Sequence, residues 1–399
     1  MHPSPENTSK RRAAIVLLMS MVLLAVFPLD VVLPSFFALS NHFNRSQSDI
    51  AFSVSLFAIV ISLSQLLIGP LSDRLGRKKL LLAGMVVAII GAVGCVLATH
   101  FTAFLLFRCI QALGCGVFVL AQALVQDLFI DKQRDQLRIA MITASGLFIS
   151  LSPLAGTLLQ QVFDWPGSFW VFVVLASVVF TKAVFFLDNP APAQHVSHGI
   201  VQSYWLVCRD PVFIGYWLIS GFAFACHFSF IVMSPLLLMA HLHLSPYAYS
   251  LVLLMYGMAY LGGGLVAQLI SNRLAASTQI TAGLLLIMTA GLLMLALSST
   301  TGLSAVKVLV PMMICTVGIT IIRPIATSKA MDVFPKHAGT AASMGGLLVL
   351  ACAGTISALV NLSATDLQIT LAICFLVLST VSLIVHFLIN RRSAALLPE

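Results

Sequence analysis

GPLSDRLGRKKLL, residues 69–81, is a polar, basic patch between two apolar runs, 50–68 and 80–98. Each run is long enough to cross a bilayer. The chain between them must therefore reverse within a few residues at one membrane surface. Gly69 and Pro70 are expected to end the first run, since Pro lacks a donor N–H and Gly tolerates unusual dihedrals. Gly76 offers a second turning point. Asp73, Arg74, Arg77, Lys78 and Lys79 crowd charge into this one turn.

Composition extends that reading to the whole chain. Of 399 residues, 60% are hydrophobic and 9% are charged. A soluble domain carries roughly 25% charged residues, so this chain cannot cover a water-facing surface. It reads as an all-α polytopic membrane protein with lipid as its solvent. The net charge of +8 is then a topology signal rather than a nucleic-acid signal. Seven of the eight cysteines fall in apolar runs, and none forms a Cys-x-x-Cys pair; they read as small apolar filler.

Twelve apolar runs are expected as spans: 13–39, 50–70, 80–98, 102–126, 138–160, 166–187, 212–236, 247–270, 277–297, 303–327, 339–361 and 367–389. With the N-terminus in the cytoplasm, sixteen Lys and Arg fall in inside segments and only Arg45 outside. That bias places both termini inside. Arg108, Lys182, Lys307 and Arg323 remain within spans. The polar interval 188–211 holds three prolines near the chain midpoint. It is read as a cytoplasmic linker between a six-helix bundle over 1–187 and another over 212–399. Four matched positions suggest that the halves are repeats: Pro34 and Pro235, Gly69 and Gly264, Gly114 and Gly318, Gly156 and Gly354.

These residues carry a family resemblance. GPLSDRLGRKKLL resembles the loop 2–3 signature of the major facilitator superfamily through Gly69, Asp73, Arg74, Gly76 and Arg77. LLFRCIQALGCG (105–116) is similar to its span 4 motif. LDVVLPSFF (29–37), with Asp30 and Pro34, resembles the span 1 motif of twelve-span drug:proton antiporters. SPLAG (152–156) resembles their span 5 motif, with Gly146, Pro153 and Gly156 in place and Ser152 and Ala155 where glycines are usual. FPKHAGTAAS (334–343) looks like the Bcr/CflA branch of efflux proteins. The resemblance implies a major facilitator fold, with two six-helix bundles around a cavity, alternating access and proton-driven export. It also implies that Asp73 meets the start of span 11 near Gly339 and that Arg77 pairs with Asp127. Both contacts would hold the cytoplasmic side closed. The second-half counterpart, GLVAQLISNRL (264–274), has Gln268 where Asp73 would fall, so a latch on one half alone is expected.

Charge inside the spans marks candidate chemistry. Asp30 is the only carboxylate deep within a span, where it must be neutral, paired or wetted. Arg108 is expected at similar depth, so the pair is a candidate proton-coupling site; a static ion pair that locks packing is the other reading. Gln111, His227 and Arg323 are candidates for a substrate cavity, against interhelical bonding for Gln111 and His227 and snorkelling for Arg323. Arg323 in the cavity would suit a carboxylate or phosphate. Lys182 and Lys307 read as snorkelling side chains.

The expected function is proton-coupled antiport of small organic molecules across a bacterial inner membrane, of the multidrug efflux type. The alternative is dedicated export of an endogenous anion such as a carboxylate siderophore. No enzyme chemistry, metal or organic cofactor is expected, and no nucleotide motif appears. The partners are substrate, protons and lipid, with no nucleic acid, and the chain is expected to act as a monomer.

Overall fold

The computed structural model describes residues 5–187, 200–234, 237–238, 242–299, 304–362 and 366–395. Its first half runs α1 (Pro5–Asp30), α2 (Phe36–Phe43), α3 (Gln47–Leu75), α4 (Arg77–Leu97), α5 (Phe101–Cys115), α6 (Leu120–Leu128), α7 (Asp131–Phe163) and α8 (Pro166–Phe186). The second runs α9 (Ile200–Cys208), α10 (Pro211–Ser234), α11 (Pro246–Ser271), α12 (Ala276–Ser298), α13 (Ala305–Val333), α14 (Ala338–Leu362) and α15 (Leu367–Ala395). No strand occurs among the described residues. Among the described residues, eleven helices are long and apolar enough to cross a membrane. α7 supplies the twelfth as two arms, Lys132–Ser152 and Leu154–Phe163, bent by 48° on either side of Pro153. With the two arms of α7 counted as one span, the candidate spans among the described residues number twelve and follow the expected order.

Lipid and protein faces separate by helical period. On α3, Ile59, Leu63 and Leu67 are exposed in one stripe, while Phe57, Ile61, Ser64 and Ile68 are sealed on the other side. An exposed leucine stripe is unfavourable in water and indifferent in lipid.

Three sequence expectations change. Span 1 was expected to reach residue 39, but α1 stops at Asp30 and the chain passes through a 3₁₀ turn at Leu33–Ser35 into α2. Pro28 and Pro34 flank the break, and the residue before a proline disfavours helix. Gly69 and Pro70 do not end α3, which runs on to Leu75. Pro70 leaves the carbonyl of Leu66 without a helical donor, and the Tyr204 hydroxyl of α9 donates to it at 2.6 Å. The reversal falls instead on Gly76, at φ 94°, from which α4 starts at once. The interval 188–211 contains α9, while 188–199 lie outside the described residues. Tyr204→Phe removes the hydroxyl donor to Leu66, so a loss of about 1 kcal/mol is expected. A thermal melt in detergent reads it as a lowered midpoint.

Contacts divide the chain into two units. The first is Met1–Leu128, Leu151–Tyr204 and Lys336–Gly346; the second is Phe129–Ser150, Trp205–Pro335 and Leu347–Glu399. The start of α14 thus belongs with the first unit, and the first arm of α7 with the second. The first unit has an aromatic core of Phe43, Phe101, Phe104, Trp165 and Phe169. The second is centred on α10, α12, α13 and α15.

Two glycine pairs of the proposed repeat have matched surroundings. A Cβ on Gly69 would strike Ser343 of α14, and one on Gly264 would strike Thr143 of α7. A Cβ on Gly114 would meet the Gly84 carbonyl oxygen at 2.5 Å, and one on Gly318 the Gly283 carbonyl oxygen at 2.6 Å. Gly156 and Gly354 do not match: Gly156 is crowded by Val31 and Pro34, while Gly354 has open space. Pro235, the partner proposed for Pro34, lies outside the described residues.

Candidate functional site

Asp30 closes α1, and Arg108 lies fully buried on α5. They do not form an ion pair. Two guanidinium nitrogens of Arg108 donate to the carbonyl of Pro28, at 3.3 and 3.2 Å. One also donates to Gln111 Oε1 at 2.9 Å. The break after Asp30 leaves the last carbonyls of α1 without helical partners, and the end of a helix is electronegative. Arg108 answers both needs, and the rings of Phe57 and Phe169 lie 4.2 and 5.7 Å from its guanidinium carbon. Gln111 is 1% exposed and engaged with Arg108, so it supports that arginine rather than lining open space. Asp30 keeps partial exposure and has no hydrogen bond or ion pair among the described residues.

The loop at 69–81 brings Asp73, Arg77 and Asp127 together. Asp73 accepts from the backbone N–H groups of Gly339 and Thr340, both at 2.9 Å, and from the Thr340 hydroxyl at 2.8 Å. A carboxylate at the start of α14 uses donors that a helix leaves free and meets its positive end. Arg77 reaches Asp73 at 2.5 Å and Asp127 at 3.0 Å. Arg74 points out and is exposed. Gly69 allows the close approach: a Cβ there would lie 2.6 Å from the Gly339 carbonyl oxygen.

The second half has a neutral counterpart, which corrects the expectation of a latch on one half alone. Gln268 of α11 donates to the Gln136 carbonyl near the start of α7 at 2.8 Å. The same two helices meet through Thr143 with Gly264, Gly146 with Tyr260, and Ser150 with Gly257. Residue numbers rise on one helix as they fall on the other, so the seam is antiparallel. Of the antiporter-like motif, Gly146 makes room for the Tyr260 ring. Gly156 lies against the Val31 carbonyl and Pro34 in the first unit.

The second unit gathers rings around one cation. His227 of α10 is 1% exposed, hydrogen-bonds through Nδ1 to the Tyr256 hydroxyl, and stacks on that ring at 9°. Tyr260 stands edge-on to His227 at 5.5 Å. Arg323 lies on α13 with its guanidinium carbon 4.4 Å from the Phe224 ring centroid. The tyrosines and Phe224 were not singled out from the sequence, where aromatics in an apolar run read as core. Their i, i+4 spacing on α11 was the available signal.

A separate polar cavity of about 400 Å³ is lined by Lys132, Arg134, Asp135, Lys329 and Asp332. Arg134 pairs with Asp332 at 3.3 Å, and the buried Arg138 donates to Ser328 at 2.6 Å. These contacts tie α7 to α13. No group of three or more His, Cys, Asp or Glu able to hold a metal occurs among the described residues.

The Major Facilitator Superfamily profile matches residues 15–358. The chain is 26% identical over 388 residues to multidrug resistance protein D of Escherichia coli strain K12, covering 93% of this chain and 97% of that protein. It is 25% identical over 393 residues to multidrug resistance protein MdtL of Escherichia coli O9:H4 strain HS, covering 95% and 97%. Among solved structures, the human organic anion transporter MFSD10 superposes with a TM-score of 0.71 at 18% identity, covering 97% of this chain and 100% of that one. The proton:xylose symporter XylE gives 0.76 at 14% identity, covering 96% of each. At such identities the structural matches speak for the fold alone.

Proposed function

The chain belongs to the major facilitator superfamily, and on that premise we propose that it is a proton-coupled antiporter exporting small organic molecules by alternating access. It is a multi-pass membrane transporter, not an enzyme. The inner membrane of a bacterium, with both termini in the cytoplasm, suits its basic loops. A monomer suffices for the cycle, in which Asp30 carries the proton and Arg108 holds the broken end of α1. Asp73, Arg77 and Asp127 fasten the loop at 69–81 to the start of α14 in one state and release it in the other.

The observation that carries this reading is Asp30. A carboxylate in a span must be neutral, paired or wetted. The arginine expected to pair with it is committed to Pro28 and Gln111. Gain and loss of a proton is the freedom left to Asp30, and its partial exposure gives the proton a way in. The multidrug names of the relatives support a small organic substrate. Dedicated export of an endogenous anion is the second reading, favoured by Arg323.

Everted membrane vesicles test the proposal. Acid-interior vesicles are expected to accumulate ethidium or p-aminohippurate only when they contain this protein. A protonophore is expected to abolish that uptake. Accumulation that survives the protonophore would sink the proton-coupled reading.

A further inference from the structure

Two arginines lie deep in the membrane spans, and they differ in one respect. Arg108 is fully buried and its guanidinium is committed to Pro28 and Gln111. Arg323 has no hydrogen bond or ion pair among the described residues, whereas the Nε is sealed and unpartnered in both. It lies four residues past Ile319, the midpoint of α13, about 6 Å along the axis. Ile319, Ile322 and Ala326 around it are closed off, yet Arg323 itself keeps accessible surface. Between Gly318 and Ser328 it is the one residue that keeps accessible surface. Among the described residues no carboxylate acts on it, while His227 and Tyr260 lie within its electrostatic reach.

A lone guanidinium at this depth is costly to keep. The Phe224 ring offsets part of that cost through its π face. The rest calls for an anion, and the described residues supply none. Phe224 keeps accessible surface beside the guanidinium, and behind it the sealed His227, Tyr256 and Tyr260 continue the group of rings. A planar ring can pack against Phe224, offset-stacked or edge-on. One cation with no second beside it suits a single negative charge, and a carboxylate matches the arginine fork with two parallel hydrogen bonds.

We propose that Arg323 is the anion anchor of a substrate site on α10, α11 and α13, and that small aromatic monocarboxylates are the substrate class. This rests on the transport reading above and narrows it. Gly146 of the antiporter-like motif then has a further role, since it makes room for the Tyr260 ring that backs the site. Arg323 selects the substrate by charge; the rings select it by shape.

The test is equilibrium binding to the purified full-length protein, with no gradient applied. The probe pairs are benzoate with benzamide and 1-naphthoate with 1-naphthamide. Each pair keeps the ring and changes only the charge. The wild type is expected to bind the carboxylate about tenfold or more tightly than its amide. Arg323→Gln is expected to bring that ratio to about one, with amide affinity unchanged as the check on folding. Arg323→Lys keeps the charge without the fork and is expected to fall between. It also serves if the glutamine variant folds poorly. A ratio that Arg323→Gln and Arg323→Lys leave unchanged overturns the proposal, and so does a wild type with no carboxylate preference in either pair. Neither outcome depends on proton coupling, so failure here is separable from failure of the antiport reading.

Discussion

Asp30→Asn is expected to abolish proton-driven accumulation while leaving substrate exchange intact. One proton per cycle across two pH units supports about a 100-fold substrate gradient, since each pH unit is worth 1.36 kcal/mol. Asparagine has the size of the acid but cannot carry the proton, so the gradient should fall to unity. Asp30 makes no hydrogen bond or ion pair among the described residues, so the substitution breaks no contact there. Folding and exchange of labelled for unlabelled substrate are therefore expected to survive. Accumulation in the variant at the wild-type level would remove Asp30 from the mechanism.

Gly69→Leu is expected to lower turnover at least tenfold without unfolding the chain. A Cβ at this position would lie 2.6 Å from the Gly339 carbonyl oxygen and 2.7 Å from Ser343 Cβ. The first neighbour is backbone and cannot rotate away. Overpacking costs about 1–3 kcal/mol. If the seam opens to relieve it, Asp73 loses three hydrogen bonds to the start of α14. Bonds to a charged group are worth about 1.5–3 kcal/mol each. The overpacking disfavours the closed seam by up to about 3 kcal/mol, which shifts a two-state equilibrium by roughly 100-fold. The readouts are turnover in proteoliposomes and maleimide labelling of Ser343→Cys, which is expected to quicken in the Gly69→Leu background. Unchanged labelling and turnover would mean that the seam does not move in the cycle.

The sequence made the spans and their order legible because apolar runs of bilayer length have few other uses. It also marked Gly69–Leu81 as a turn, but placed the turn too early. Pro70 looks like a terminator only if its freed carbonyl has nowhere to go. Tyr204, more than a hundred residues later, supplies the donor. The same kind of signal is missing at Arg108. Its main partner is the backbone carbonyl of Pro28, and a carbonyl leaves no trace in residue type, whereas Asp30 invited pairing by charge. Tyr256 and Tyr260 were hidden for another reason. Rings in a membrane span pack equally well against lipid or a neighbouring helix, and only the third dimension sets Tyr256 against His227 and Tyr260 within reach of Arg323. Gly146 was visible in a motif, but not its partner Tyr260 on α11.

Antiport is tested most directly by watching the proton. Proteoliposomes containing the purified protein, a pH dye and a high internal concentration of p-aminohippurate or ethidium would be diluted into substrate-free buffer. Substrate leaving through an antiporter must draw protons in, so the interior is predicted to acidify at a rate that follows substrate loss, and Asp30→Asn vesicles are predicted to stay flat. Substrate loss with no pH change, or with an alkaline shift, would contradict the account.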